Sequence, residues 1–191
     1  METTLASTST SQKKEQDLFR TISFTTLFTA IADLLATNLH FYFATGHGAT
    51  LRLTGAEEPV SLLTYLTQGG LQYVFKYIAQ GVFGPEAAAG GRLMIVWGAV
   101  FHFMISFFFT TFLFLIYRKA GKWFNNTFTI GIAYGIFTWI VMNLAVIPLS
   151  RIHTFPVDPL QSVIAAFILV LVIGFPVALA AHRFYSRRNP G

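Results

Sequence analysis

The sequence has no cysteine among its 191 residues, and only 11% of its residues are charged. The absence of cysteine excludes disulfide scaffolds, thiolate metal sites, iron–sulfur clusters and cysteine nucleophiles. An ordinary soluble domain carries about 25% charged residues. The shortage of charge is therefore the first indication that much of this chain contacts lipid and not water.

Catalytic motifs are missing as well. The chain has no HExxH, no GxSxG and no P-loop, and its glycine-rich stretches at 46–51 and 84–91 do not follow a predicted strand. The net charge of +5 would suit a nucleic acid, but the basic residues flank apolar runs, as membrane anchors do. We therefore expect no nucleic-acid partner and no enzymatic activity. One alternative stays open, an intramembrane enzyme with Asp33 or His102 as its base.

Apolar surface is what the sequence has in excess: 54% of the residues are hydrophobic and 21 are phenylalanine. A membrane span needs about 20 apolar helical residues, and four segments reach that length. The expected fold is an all-α, up-and-down four-helix membrane bundle with an additional interfacial amphipathic helix. The predicted order is a disordered cytoplasmic N-terminus (1–20), spans at 21–44, 93–117, 127–149 and 163–182, outer loops at 45–92 and 150–162, a cytoplasmic loop at 118–126 and a cytoplasmic tail at 183–191.

A fifth apolar stretch, residues 59–83, is interrupted by Gly69 and Gly70. Its second half has the spacing of one apolar helical face, which predicts an amphipathic helix at about 60–83 that lies at the interface or re-enters shallowly. The positive-inside rule agrees. With four spans, nine of the 13 Lys and Arg residues are cytoplasmic. These nine are Lys13, Lys14, Arg20, Arg118, Lys119, Lys122, Arg183, Arg187 and Arg188, and the outer four are Arg52, Lys76, Arg92 and Arg151.

Helix boundaries are marked by a few residues. Asp158 followed by Pro159 predicts an N-cap and first turn for the last helix. Pro148 is expected to close the third helix, and Pro176 to bend the fourth. Gly131 and Gly135 form a GxxxG motif, for which packing within this bundle is a simpler interpretation than dimerisation.

Polar residues inside the predicted spans are the candidate site, because lipid cannot satisfy them. They recur at three- or four-residue spacing on three helices, so we expect three polar stripes that face each other. At about 1.5 Å per residue, Asp33 and His102 lie roughly 13–16 Å from the outer helix ends. The predicted intramembrane polar site consists of Asp33, Thr37, His40, His102, Ser106 and Asn143.

Three interpretations of this site remain. In the first, Asp33 and His102 form an interhelical pair, with Asn143 as an extra hydrogen-bonding group, and these contacts only hold the bundle together. Alternatively, the residues bind or conduct a proton, an ion or a small polar solute. Haem b ligation by His40 and His102 is a third alternative, although no cofactor is predicted and no metal site is expected.

The runs KYIAQGVFGPEAAAGG, FHFMIS and AYGIFTWIVMNLAVIPLS resemble a group of short bacterial four-span membrane proteins and, more loosely, the YagU-type inner-membrane proteins. The resemblance covers residues 25–183 and marks Asp33, His102, Asn143 and Pro148 as positions typical of the group. It implies a four-span protein of a bacterial inner membrane but no activity, since the group has no assigned biochemistry. The insertion LTGAEEPVSLLTYLTQGG departs from the group.

Two functions follow as hypotheses. The first is a small channel- or transporter-like protein that handles a proton, an ion or a small polar solute at the Asp/His/Asn site. The second is an accessory or structural subunit that docks onto a larger membrane complex through its outer amphipathic helix and its aromatic faces. The expected surroundings are the lipid bilayer of a bacterial inner membrane, with both termini cytoplasmic and a possible homo-oligomer or larger complex as partner.

Overall fold

A computed structural model describes residues 2–44, 61–123, 126–152 and 158–187. Within these ranges the chain is entirely helical apart from short connections, and no strand is present. Four helices are long and apolar enough to cross a membrane: Gln12–Phe43, Arg92–Gly121, Thr127–Leu149 and Pro159–Ser186. The predicted all-α class is confirmed, and the protein is a polytopic membrane protein.

The elements follow one another in a simple order. The first span lies in α1 and the second in α4, while the third (α5 and α6) and the fourth (α7 and α8) each contain a π-helical segment. The bounds are α1 Glu2–Ala44, α2 Leu62–Tyr65, a π segment Leu66–Gly70, α3 Leu71–Phe83, a 3₁₀ turn Pro85–Ala88, α4 Arg92–Trp123, α5 Thr127–Val141, a π segment Met142–Val146, α6 Ile147–Leu149, α7 Pro159–Leu169, a π segment Val170–Gly174 and α8 Phe175–Ser186.

The bundle has two ends, the termini end and the α3 end. The termini end carries residues 12–20 and 183–187, and the α3 end carries the α1 C-terminus at Ala44 and the α4 N-terminus at Arg92. Alternation of four spans places both described ends of the chain at the termini end. Which side of the membrane this end faces stays a prediction.

Helix starts and stops follow from local chemistry. Asp158 caps α7 as predicted, because its Oδ1 accepts the backbone N–H of Leu160 at 2.8 Å. Asn126 caps α5 in the same way by accepting the N–H of Thr129 at 2.7 Å. Gly84 ends α3 with φ +91°, a backbone conformation that residues with a Cβ adopt only under strain.

Residues 1–20 were predicted to be disordered, whereas in the structure α1 is helical from Glu2. Residues 12–17 (QKKEQD) contain five strong helix formers, and a helix extends easily from an existing one because nucleation is its unfavourable step. The second and fourth spans are longer than predicted: α4 extends to Trp123 into the predicted loop 118–126, and the fourth span covers Pro159–Ser186 and not 163–182. The third span matches 127–149.

Two of the π segments precede prolines. Pro148 follows Met142–Val146 and Pro176 follows Val170–Gly174. Proline has no N–H to donate to the preceding turn and its ring crowds that turn, so the helix widens locally. The predicted bend before Pro176 therefore takes the form of a π segment, and α6 ends one residue after Pro148.

The predicted amphipathic helix is α3, with 13 residues. At about 1.5 Å per residue it is roughly 20 Å long, shorter than a bilayer core of about 30 Å. It packs directly on α4, where a Cβ on Gly98 would lie 1.8 Å from the carbonyl oxygen of Phe75. Its far end is tied to the third span, since the N–H of Arg151 donates to the carbonyl of Gly81 at 2.9 Å.

The apolar core occupies the half of the bundle nearer the termini end. It joins α1, α4, α5 and the fourth span, and two tyrosine hydroxyls add hydrogen bonds across it: Tyr134 donates to the carbonyl of Phe109 and Tyr185 to that of Phe114. The fully enclosed members include Leu113, Phe114 and Val177. The core consists of Ile22, Phe109, Leu113, Phe114, Tyr117, Ile130, Tyr134, Ile173, Val177, Ala178 and Ala181.

Candidate intramembrane binding site

A cavity of about 440 Å³ lies in the other half of the bundle, between the core and the α3 end. All four spans contribute to its wall, and α3 covers one side through Val74, Tyr77 and Ile78. The wall is mostly apolar, as is usual for a small-molecule pocket. All six residues of the predicted polar site line it: Asp33, Thr37, His40, His102, Ser106 and Asn143.

Asp33 is the acidic residue of the cavity wall. Its Oδ1 atom is buried and has no hydrogen-bond partner. An ionised carboxylate in an apolar, membrane-embedded position is strongly unfavourable unless a proton, a cation or hydrogen-bond donors compensate for it. Asp33 is therefore the strongest attractor for a positively charged group among the described residues of the wall.

His102 lies close enough to Asp33 for the two groups to interact electrostatically. Its Nε2 donates to the carbonyl of Ala30 on α1, at 2.9 Å. A direct Asp33–His102 hydrogen bond is therefore not made by Nε2 or by Oδ1. With Nε2–H bound to Ala30, the neutral imidazole has Nδ1 as its basic atom, so His102 is held in one orientation and still has a nitrogen that can accept a proton.

Two of the remaining predicted residues, His40 and Asn143, have hydrogen-bond partners of their own. The Nε2 of His40 donates to Oε1 of Gln161 at 2.7 Å, which joins α1 to α7 near the α3 end. Asn143 donates from Nδ2 to the carbonyl of Trp139, within its own helix, at 2.9 Å. This bond does not join two helices. In the purely structural interpretation Asn143 was expected to hydrogen-bond to another helix, and its Nδ2 does not do so.

The wall also contains polar residues that were not predicted as site residues, among them Trp139 and Tyr77. The Nε1 of Trp139 is a buried donor without a hydrogen-bond partner. Tyr77 reaches the cavity from α3, and burial raises the pKa of its phenol, with a smaller contribution from the nearby Tyr73. Trp139 lies four residues before Asn143, so the spacing along the helix is a signal that predicts it as a wall residue. Nothing in the local sequence pattern predicts that Tyr77 lines the same cavity.

The predicted packing residues lie where the third and fourth spans meet. A Cβ on Gly131 would lie 2.6 Å from the ring of Phe175, and one on Gly135 would lie 2.4 Å from Cα of Val170. The fourth span contributes Gly174, whose added Cβ would lie 2.1 Å from the carbonyl oxygen of Gly131. The GxxxG motif is therefore occupied by packing within the chain, and the π segment Val170–Gly174 is part of this contact.

The cavity ends at the core. Phe109 and Ile173 belong both to the cavity wall and to the core cluster, so they form the boundary between the two. Beyond them Leu113 and Val177 are 1% and 0% exposed. The polar cavity is therefore closed toward the termini end.

The two histidines named as alternative haem ligands each have a protein partner. The Nε2 atoms of His40 and His102 are hydrogen-bonded to Oε1 of Gln161 and to the carbonyl of Ala30. Haem b ligation by these residues stays a prediction. No group of three or more His, Asp or Glu side chains suited to a metal ion occurs in the described ranges.

No family model matches the chain, and comparison with curated proteins and with solved structures finds no significant similarity. The resemblance to four-span bacterial membrane proteins therefore stays a prediction. Functional inference depends on the geometry of the cavity.

Proposed function

We propose that this protein is a small transporter-like membrane protein whose cavity binds a proton or a small cationic solute at Asp33. The observation that carries this proposal is the buried, unpartnered Oδ1 of Asp33 in the wall of a cavity of about 440 Å³. A cationic solute would neutralise the carboxylate and donate to it. The unpartnered donor of Trp139 offers a complementary contact for an acceptor on the same solute.

The closed end of the cavity favours a transporter over an open channel. A channel needs a continuous polar path, whereas here the apolar core fills the termini half of the bundle. A site that is closed toward one end has to change its exposure before a solute can leave there. The π segments of the third and fourth spans, Met142–Val146 and Val170–Gly174, are the positions where such a rearrangement would be least restricted, because their regular hydrogen bonding is already interrupted.

Proton flux into proteoliposomes tests the proposal. Vesicles that contain the purified protein and a pH-sensitive dye are given a membrane potential with potassium and valinomycin. The wild-type protein is expected to acidify or alkalinise the lumen faster than empty vesicles do. Asp33→Asn removes the charge with little change in shape, and its flux is expected to fall to that of empty vesicles.

The matched control is Glu15→Gln, which likewise replaces a carboxylate by an amide on α1 but at an exposed position that lines neither this cavity nor the second one. It is expected to retain wild-type flux. If the wild-type protein gives no flux above empty vesicles with protons, and no change when a small amine is added as a candidate cation, the proposal is refuted. Equal flux in wild type and Asp33→Asn also refutes it, provided that both variants elute as folded protein.

The docking alternative has less support from the contacts. It requires a free apolar face on α3, yet α3 already buries Val74 and Ala79 within this chain and packs against Gly98 of α4. The exposed aromatic residues of α4, among them Phe108, face outward as lipid-facing side chains do. Native co-purification separates the two functions, because only an accessory subunit is expected to carry a stoichiometric partner.

A further inference from the structure

A second cavity, of about 700 Å³, lies between α1 and α8 at the termini end and is separate from the polar site. One face of each helix forms its wall. From α1 come residues spaced at three or four positions, and the same spacing recurs on α8. The wall consists of Asp17, Arg20, Thr21, Phe24, Thr25, Phe28, Pro176, Leu179, Ala180, Arg183, Phe184 and Arg187.

Three arginines line this groove: Arg20 from α1, Arg183 from α8, and Arg187 directly after α8. Asp17 is the one acidic residue in the wall, and it is engaged in an interaction of its own. The wall therefore carries a net formal charge of +2.

The inner part of the groove is apolar. Phe24 and Phe28 are 74% and 57% exposed and lie one and two helical turns further into the membrane than Arg20. At about 1.5 Å per residue, the distance along α1 from Arg20 to Phe28 is roughly 12 Å, close to the thickness of about 15 Å of one bilayer leaflet. Leu179 provides a matching apolar surface on α8.

Basic groups at the headgroup level above an apolar groove one leaflet deep match the two parts of a phospholipid. We propose that this groove binds one anionic phospholipid, whose phosphate contacts Arg20, Arg183 and Arg187 and whose acyl chain lies along Phe24, Phe28 and Leu179. Guanidinium groups suit this role because their planar forks donate to phosphate oxygens in pairs. The site does not depend on the function proposed for the Asp33 cavity.

Native mass spectrometry of the detergent-purified protein tests this site. Phosphatidylglycerol and phosphatidylcholine with identical acyl chains are titrated in parallel. One phosphatidylglycerol molecule is expected to bind at lower concentration than phosphatidylcholine. Removing one basic group near an anionic headgroup weakens binding about fivefold, so Arg20→Ala and Arg183→Ala are each expected to shift the titration by about that factor.

Arg118→Ala is the matched control. Arg118 is also an exposed arginine at the termini end, but it lies outside the groove. It is expected to leave the titration unchanged. Leu179→Trp tests the apolar part of the groove without changing its charge. Because Leu179 is 43% exposed, the larger indole side chain can extend into the groove and fill it without disturbing the folded bundle. This variant is expected to weaken phosphatidylglycerol binding.

Several outcomes would overturn the proposal. Equal binding of the two lipids means that the groove has no preference for anionic headgroups. An equal loss in Arg118→Ala and Arg183→Ala means that general surface charge is responsible. Displacement of phosphatidylglycerol by inorganic phosphate at the same concentration, with no effect of Leu179→Trp, identifies a site for a soluble anion and not for a lipid.

Discussion

The contact between α3 and α4 gives the sharpest test of the architecture. A Cβ added at Gly98 would lie 1.8, 2.4 and 2.8 Å from the O, C and Cα atoms of Phe75. Ordinary contact begins at 3.4 Å, so the two backbones must separate by about 1.6 Å. Backbone atoms cannot rotate away as a side chain would. We therefore expect Gly98→Ala to be at the upper end of overpacking effects, with a loss of about 3 kcal/mol.

Thermal unfolding in detergent measures this loss. For a chain of this size about 3 kcal/mol corresponds to a fall in the melting temperature of about 6–12 °C, at 2–4 °C per kcal/mol. Tryptophan fluorescence is a suitable signal, because Trp97 lies on the same helix and its ring is 5.9 Å from that of Phe83 on α3. A change in the emission of the folded variant is expected as α3 moves.

Gly121→Ala provides the matched control on the same helix. Nothing lies within 4 Å of a Cβ at Gly121, and alanine has a higher helix propensity than glycine by about 1 kcal/mol. Its melting temperature is expected to stay the same or to rise slightly. If Gly98→Ala melts at the same temperature as Gly121→Ala, the close approach of α3 and α4 is refuted, and with it the role of α3 as a wall of the Asp33 cavity.

Further predictions concern two tyrosines and the orientation of the protein in the membrane. Tyr65 is 0% exposed with an unpartnered hydroxyl, so Tyr65→Phe is expected to be neutral or stabilising by up to about 1 kcal/mol in thermal unfolding. Burial raises the pKa of Tyr65 above its ordinary 10.0, so the folded state favours the neutral phenol. The stability that this gives is present below pH 10.0 and is lost as the pH rises beyond it. The loss of stability at alkaline pH is therefore expected to be smaller in Tyr65→Phe than in the wild-type protein, and an equal loss would contradict this account. Tyr134→Phe deletes the hydrogen bond to the carbonyl of Phe109 and is expected to cost about 1 kcal/mol in the same assay, whereas an unchanged melting temperature would mean that the bond contributes nothing. GFP fused after Gly191 is expected to fluoresce, because the positive-inside rule places the termini end in the cytoplasm; a dark fusion with an externally accessible tag would reverse the orientation.

The sequence was sufficient for every feature that depends on local periodicity. Span length and hydropathy determine the four helices, and the capping chemistry of Asp158 determines where the last one begins. The six polar residues share helical faces at three- or four-residue spacing. Lipid cannot solvate such faces, so they had to turn inward, and all six line one cavity. The helical N-terminal segment was missed because its serine and threonine content was given more weight than its helix formers.

Only the tertiary structure decided which groups meet, because this depends on helix rotation and on how closely the backbones approach. Glycines set how closely α3 approaches α4 and how closely the third span approaches the fourth. The packing of α1 on α4 brings His102 to the carbonyl of Ala30 and leaves Oδ1 of Asp33 without a partner. Helix packing turns α3 into a cavity wall. It also closes the cavity at the core and brings arginines 163 residues apart in the chain, Arg20 and Arg183, to one groove. Nothing in the spacing of residues along one helix encodes a distance between two helices.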